Sequence, residues 1–152
     1  MGIEVLDGVV EAAAVKRSSA KLTIFDSLTI RLKDGGERRL EKVAAAPAVA
    51  EALQPGVEGR FYGYKAIDHR GMIGVRTRDG RAAFAIPSGN ERIMLMLAIA
   101  GLAWFLIALF ARDSITFLGL IGGVLGAIGY VRYRKTRIEG RGLYDADAGY
   151  AA

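Results

Sequence analysis

No cysteine occurs among the 152 residues. Disulfides, thiolate metal sites and cysteine nucleophiles are thereby excluded. Histidine occurs once, as His69. One imidazole without thiolates leaves too few ligands for a transition-metal site, so neither a metal nor a cofactor is expected. A catalytic histidine needs a nucleophile and an orienting group beside it. Asp68 adjoins His69, but nothing ties the pair to Ser18, Ser19 or Ser27, and it reads as an exposed turn. Asp26, Asp34, Glu37 and Glu41 fall at turn and surface positions rather than in pairs. No glycine-rich stretch carries the Lys and Ser/Thr of a phosphate loop. No catalytic residue emerges, and an enzyme is not expected.

Charge is missing from one part of the chain. Charged residues run up to Arg92, vanish until Arg132 except for Arg112 and Asp113, and then return. Ile93–Ala111 carries no charge; about 19 residues at roughly 1.5 Å each match a hydrocarbon thickness of about 30 Å. Ile115–Val131 is a second apolar run, at the short end for a span. Residues 93–131 are therefore expected to form a two-helix transmembrane hairpin (93–111 and 115–131). Residues 88–92 form a capping linker, in which Ser88-Gly89-Asn90-Glu91 has capping-box spacing. Arg112-Asp113-Ser114 would make the tight turn, with Asp113 or Ser114 capping the second helix. Arg92 before the first span and Arg132, Arg134, Lys135 and Arg137 after the second mark the membrane surface. By the positive-inside rule both termini face the cytoplasm. The expected location is a bacterial inner (plasma) membrane, crossed more than once. Residues Met1–Asp7 have no basic segment leading into an apolar run, so no signal peptide is expected.

What the second span has in abundance is glycine. Gly119, Gly122, Gly123, Gly126 and Gly129 lie within eleven residues. In water each would weaken a helix by roughly 1 kcal/mol against alanine. In lipid, small residues let helix backbones approach closely. The stripe is expected to receive the first helix through Ala100, Ala103 and Trp104, or else a second copy or another membrane protein. No charged residue lies within either span, which argues against an ion or proton pathway.

Residues 1–87 read as a small all-β domain. Leu28, Ile30 and Leu32 alternate with polar residues, the period of a half-buried strand. Asp34-Gly35-Gly36 turns the chain into a strand over Arg38–Val43. Ala44–Leu53 forms a short helix started by Pro47, Val57–Ile67 is the next strand, and Met72–Thr77 pairs with Arg81–Ile86 across Arg78-Asp79-Gly80. Ile3–Val15 supplies the opening strand. This order resembles an oligonucleotide/oligosaccharide-binding (OB) barrel with one short helix. An SH3-like barrel or an open sheet satisfies the same elements. The class is α+β overall: an all-β domain followed by a helical hairpin.

Arg60, Tyr62, Tyr64 and Lys65 form the candidate ligand face, with cations and aromatics interleaved as on a stacking platform. An ordinary strand, with Phe61 in the core and both tyrosines half exposed, has the same pattern. The net charge of +5 is spread along the chain: 15 Lys/Arg against 12 Asp/Glu over residues 1–92, and 5 against 3 over 132–152. That is not the footprint of a dedicated DNA binder, and nucleic acid is not expected as a partner. Residues 132–152 are a basic juxtamembrane segment and a tail expected to be flexible. The reading that follows is a membrane-anchored binding or scaffold module in contact with the bilayer and with a homo-oligomer or another membrane protein. The alternatives are a tethered single-strand binder and a small membrane effector or immunity-type protein.

Overall fold

The computed structural model describes residues 2–65, 70–86, 89–111 and 117–150. Ser88, the Arg112–Ser114 turn and the Asp68–His69 pair lie outside them. The chain divides into two compact units. One comprises Met1–Pro87 together with Thr136–Ala152, the other Ser88–Lys135.

The first unit is a closed five-stranded barrel with an added strand. β1 (Ile3–Ser18) pairs antiparallel with both β2 (Thr23–Leu32) and β4 (Glu58–Lys65). β2 pairs antiparallel with β3 (Glu37–Ala45), and β4 with β5 (Arg70–Thr77). The barrel closes where β3 meets β5 in parallel, with Val43, Ala44 and Ala45 opposite Arg70, Gly71 and Met72. Closure by these three pairs leaves fewer open sheet edges to template aggregation. β6 (Ala82–Phe84) pairs with Gly74–Arg76 of β5, beyond the stretch that β3 occupies. Helix α1 (Pro47–Ala50) lies between β3 and β4.

β1 serves two neighbours because it changes partner at Gly8, which is opposite Leu32 on one side and Gly59 on the other. A Cβ on Gly8 would lie 2.1 Å from the Arg31 carbonyl oxygen, so only glycine lets the backbones approach at this corner. Inside the barrel, Leu6, Val10, Phe25, Leu28, Ile30, Val43, Phe61, Met72 and Val75 are buried, and Val49 and Leu53 join the same core.

Element order follows the sequence pattern, and the element bounds differ for local reasons. β2 begins at Thr23 rather than Leu28, because its inward residues change phase from Thr23 and Phe25 to Leu28 and Ile30. β3 shows the same slip. Lys42 has φ 52°, and the buried positions pass from Leu40 to Val43. The left-handed residue breaks strict alternation of the buried positions, while the β2–β3 register runs on without a shift from Phe25 opposite Val43 to Ser27 opposite Glu41. The alanine-rich stretch is mostly not helix. Ala44 and Ala45 belong to β3, which leaves only one turn after Pro47.

The second unit holds α2 (Gly89–Ala111) and the part of α3 (Phe117–Ala146) up to Lys135. The two helices pack antiparallel through small residues. A Cβ on Gly126 would lie 2.5 Å from the Ala98 amide nitrogen, and one on Gly101 would lie 2.4 Å from the Gly123 nitrogen. Gly119 faces Trp104 and Gly129 faces Met94. Gly122 has open space around it. The face of α2 that meets the stripe is therefore Met94, Ala98, Gly101 and Trp104. Ala100 and Ala103, expected in that role, are exposed. Their Cβ atoms lie on other azimuths of the helix, since contact residues recur every three or four positions.

Candidate functional site

β4 and β5 are buried on both faces. Phe61, Met72 and Val75 fill the barrel, and Tyr62, Tyr64 and Ile73 form a second cluster outside it. Outward-facing strand residues are normally solvated. Here the cover is the chain's own C-terminal segment.

The cross-strand pairs prepare the seat. Tyr62 is opposite Gly74 and Tyr64 is opposite Gly71. Each glycine leaves room for a ring. The Tyr64 ring lies across Gly71, and the Tyr144 ring enters beside Gly74, where a Cβ would come within 3.0 Å of it. Tyr144 is 7% exposed and packs edge-on against Tyr62, with centroids 5.4 Å apart, and against Phe84 at 5.0 Å. The Arg76 guanidinium lies 4.0 Å above the Tyr144 ring, and its Nε and Nη2 donate to the Tyr144 carbonyl at 3.1 and 3.0 Å.

Beyond α3 the chain makes tight turns, with the Tyr150 amide donating to the Asp147 carbonyl. Asp147 is thereby set over β4. Its Oδ1 accepts from Arg60 Nη1 at 2.7 Å and its Oδ2 from the Tyr62 hydroxyl at 2.6 Å. Tyr150 comes next. Its hydroxyl donates to Asp7 Oδ1 at 2.8 Å and accepts from Lys33 Nζ at 3.2 Å, and Arg60 lies 4.4 Å from its ring centroid. Arg60 also bonds Asp7 Oδ2 at 3.2 Å, and so joins β1 and β4 to the tail.

The network moves proton affinities in consistent directions. The Tyr62 hydroxyl and the Arg60 guanidinium hold Asp147 below the ordinary carboxylate range against the opposing effect of burial. Burial would raise Asp7, but hydrogen bonds from Lys33, Tyr150 and Arg60 together outweigh it and lower it. Tyr62 and Tyr150 are both raised, first by burial and then by the neighbouring carboxylates. The lowered Asp147, which meets Tyr62 and Arg60 only when docked, favours the docked tail above its free value of 3.8, and that contribution is lost as pH falls through its lower docked value. The raised tyrosines favour docking below their free value of 10.0, and this is lost as pH rises through their docked values. Tail amide protection, measured by hydrogen exchange or NMR, should therefore stay constant across neutral pH. It should fall in acid below 3.8 and in alkali above 10.0.

Holding each tail residue still costs roughly 1–2 kcal/mol of backbone entropy, and a partly exposed ion pair returns at most about 1 kcal/mol. The buried Tyr144 is therefore the chief anchor. Arg76→Lys keeps the charge but loses the planar stack and the paired donors. It should weaken docking by about 1 kcal/mol, read as faster exchange of the Asp145–Tyr150 amides.

These contacts revise the expected ligand face. Tyr62 has no exposed surface and Tyr64 has 7%, so neither is half exposed nor free to stack on a base. Arg60 faces the tail, and only Lys65 of the four expected residues is exposed. The tail, expected to be flexible, is helical through Ala146 and ordered to Tyr150. Sequence reading missed Asp7, Lys33, Gly74, Arg76, Phe84, Tyr144, Asp147 and Tyr150. The signal that was present is the Tyr144/Asp147/Tyr150 spacing, together with apolar residues on the outer side of β4 and β5. Of the expected surface cations, Arg92, Arg132, Arg134, Lys135 and Arg137 are all exposed. Ser18 and Ser19 are engaged in the β1–β2 turn, with Thr23 and Leu22 respectively. Among the described residues, no three carboxylate or imidazole groups lie together to hold a metal. Comparison with protein-family models, curated proteins and solved structures found no match.

Proposed function

We propose that the protein is a membrane-anchored binding or scaffold module. An OB-like barrel is held at the cytoplasmic face of a bacterial inner membrane by a helical hairpin that crosses the bilayer twice, and it acts through contacts with other proteins. The observation that carries this reading is the solvent exposure of α2. Ile93, Met96, Ile99, Trp104, Ile107 and Phe110 are exposed around the helix, Phe110 to 80%. A helix apolar on all sides is favourable in lipid and not in water. Among the described residues, one segment, Glu91–Phe110, is long and apolar enough to cross by length and composition. The second crossing rests on residues 115–131, whose described part is apolar from Phe117 to Val131 and packs on α2 through Gly119, Gly123 and Gly126.

Support for the OB-like reading is the closed order β1-β2-β3-β5-β4-β1, the parallel β3–β5 pairing and a helix between β3 and β4. Support for protein rather than nucleic-acid contacts is the burial of Tyr62 and Tyr64, the rings a single strand would stack on.

The absence of cysteine makes the test clean. Single cysteines replacing Arg112 and Lys65 are introduced separately and treated with a membrane-impermeant maleimide. Arg112→Cys should label from outside intact spheroplasts, and Lys65→Cys only after lysis. Release of the chain by alkaline carbonate, or labelling of Lys65→Cys from outside, would overturn the reading. Native-membrane cross-linking should give a stoichiometric protein partner or a homo-oligomer, and a chain that cross-links to nothing argues against the scaffold role.

A further inference from the structure

We propose that the outer face of β4–β6 is a recognition site for an acidic peptide with a tyrosine, a carboxylate three residues on and a second tyrosine three further. The tail is its resident occupant, and a partner segment of the same chemistry displaces it. This rests on reading the barrel as a binding module and names the surface and the ligand class.

Three features of the seat carry the proposal. The first is shape: Gly74 opens a slot between Tyr62 and Phe84 that one aromatic ring fills, and a Cβ at position 74 would already crowd all three rings at 3.0–3.3 Å, so a branched side chain would close it. The second is charge: Arg76, Arg60 and Lys33 follow one another along the path of the tail, where they meet the Tyr144 main-chain carbonyl, the Asp147 carboxylate and the Tyr150 hydroxyl, so a segment without a carboxylate at the middle position would leave Arg60 and the Tyr62 hydroxyl without their tail acceptor. The third is separability. The barrel interior is a distinct cluster that contains no tail residue, and the tail reaches the seat through the Tyr144 ring, the close approach of Gly140 to Ile73 and a few partly exposed polar contacts. A segment held in this way exchanges, whereas a strand of the barrel does not. Tethering gives the tail a high effective concentration, so a free peptide competes poorly until the tail is weakened.

The experiment uses the full chain in detergent micelles and a fluorescein-labelled peptide of residues 140–150, followed by anisotropy. The host is the variant Tyr144→Ser/Asp147→Asn/Tyr150→Ser. It should bind the peptide saturably and at least tenfold more tightly than the natural chain does. Adding Gly74→Val or Arg60→Ala to the host should abolish binding, and a peptide of the same composition with the tyrosine spacing scrambled should not bind. Equal binding to the natural chain, or none to a variant whose barrel retains its near-ultraviolet dichroism, overturns the proposal. A variant whose barrel melts together with the tail makes the tail part of the fold and also overturns it. Saturable binding of a single-stranded oligonucleotide in place of the peptide gives the face to nucleic acid and overturns it too. These outcomes are independent of the topology test. A partner cross-linked to another side of the barrel, with no peptide binding here, would leave the scaffold reading standing and remove this site.

Discussion

Gly126→Leu should separate the two helices of the second unit, while Gly122→Leu should leave them together. A Cβ on Gly126 would lie 2.5 Å from the Ala98 nitrogen, 2.9 Å from its Cα and 2.9 Å from the Met94 carbonyl oxygen. All three are backbone atoms, so no rotamer change relieves the clash. Overpacking in a close-packed contact costs about 1–3 kcal/mol; with a whole isobutyl group against backbone the upper end, about 3 kcal/mol, is expected. Gly122 has nothing within 4 Å, so the same substitution there should change stability by about 0.5 kcal/mol or less. The reporter is an introduced pair, Met94→Cys with Gly129→Cys. A Cβ at 129 lies 3.5 Å from the Met94 Cβ, close enough for a disulfide. In this otherwise cysteine-free chain, oxidation should close the pair readily in the natural background and with Gly122→Leu. Gly126→Leu should slow closure at least tenfold. Equal rates in the two variants would mean that the stripe does not set the helix contact.

Tyr144→Ala should release the tail and leave the barrel folded. Truncating a buried aromatic typically costs about 3–5 kcal/mol when the surroundings cannot relax. Here they can relax, because the tail can leave. The loss is therefore capped by the free energy of docking, which the remaining ion pairs cannot sustain alone. Two readings separate this outcome from general unfolding. Tryptic cleavage at Arg141 should accelerate at least tenfold. The core around Phe61 and Val75, which contains no tail residue, should keep its slow hydrogen exchange. Tyr144→Phe should behave almost as the natural chain does, because its ring packs on Tyr62 and Arg76 and its carbonyl takes the Arg76 bonds. A uniform loss of protection across β1–β5 in Tyr144→Ala would show instead that the tail is needed for the barrel to fold.

Much of the first unit is legible because its signals are local. Alternation at Leu28, Ile30 and Leu32, the Asp34-Gly35-Gly36 and Arg78-Asp79-Gly80 turns and the Pro47 helix start each lie within a few residues, and the strand order follows them. Where alternation slips, as at Asp26–Ser27 and at Lys42, the expected strand bounds fail with it. The partner face of α2 was not legible for a different reason. Apolar residues surround that helix, so periodicity does not favour Ala98 and Gly101 over Ala100 and Ala103.

The sequence by itself determined that a β domain, an uncharged stretch rich in small residues and a basic segment follow one another, because composition and short-range pattern carry that information. Only the tertiary structure decided that Tyr62 is covered, that Tyr144 and Asp147 cover it, and that Tyr150 sits beside Asp7, Lys33 and Arg60. The hydrogen bonds between the tail and the barrel join residues 68 to 143 positions apart, and nothing in either segment's local pattern names the other. They arise because β4 and β5 place Gly74 opposite Tyr62 and leave a slot that one ring completes.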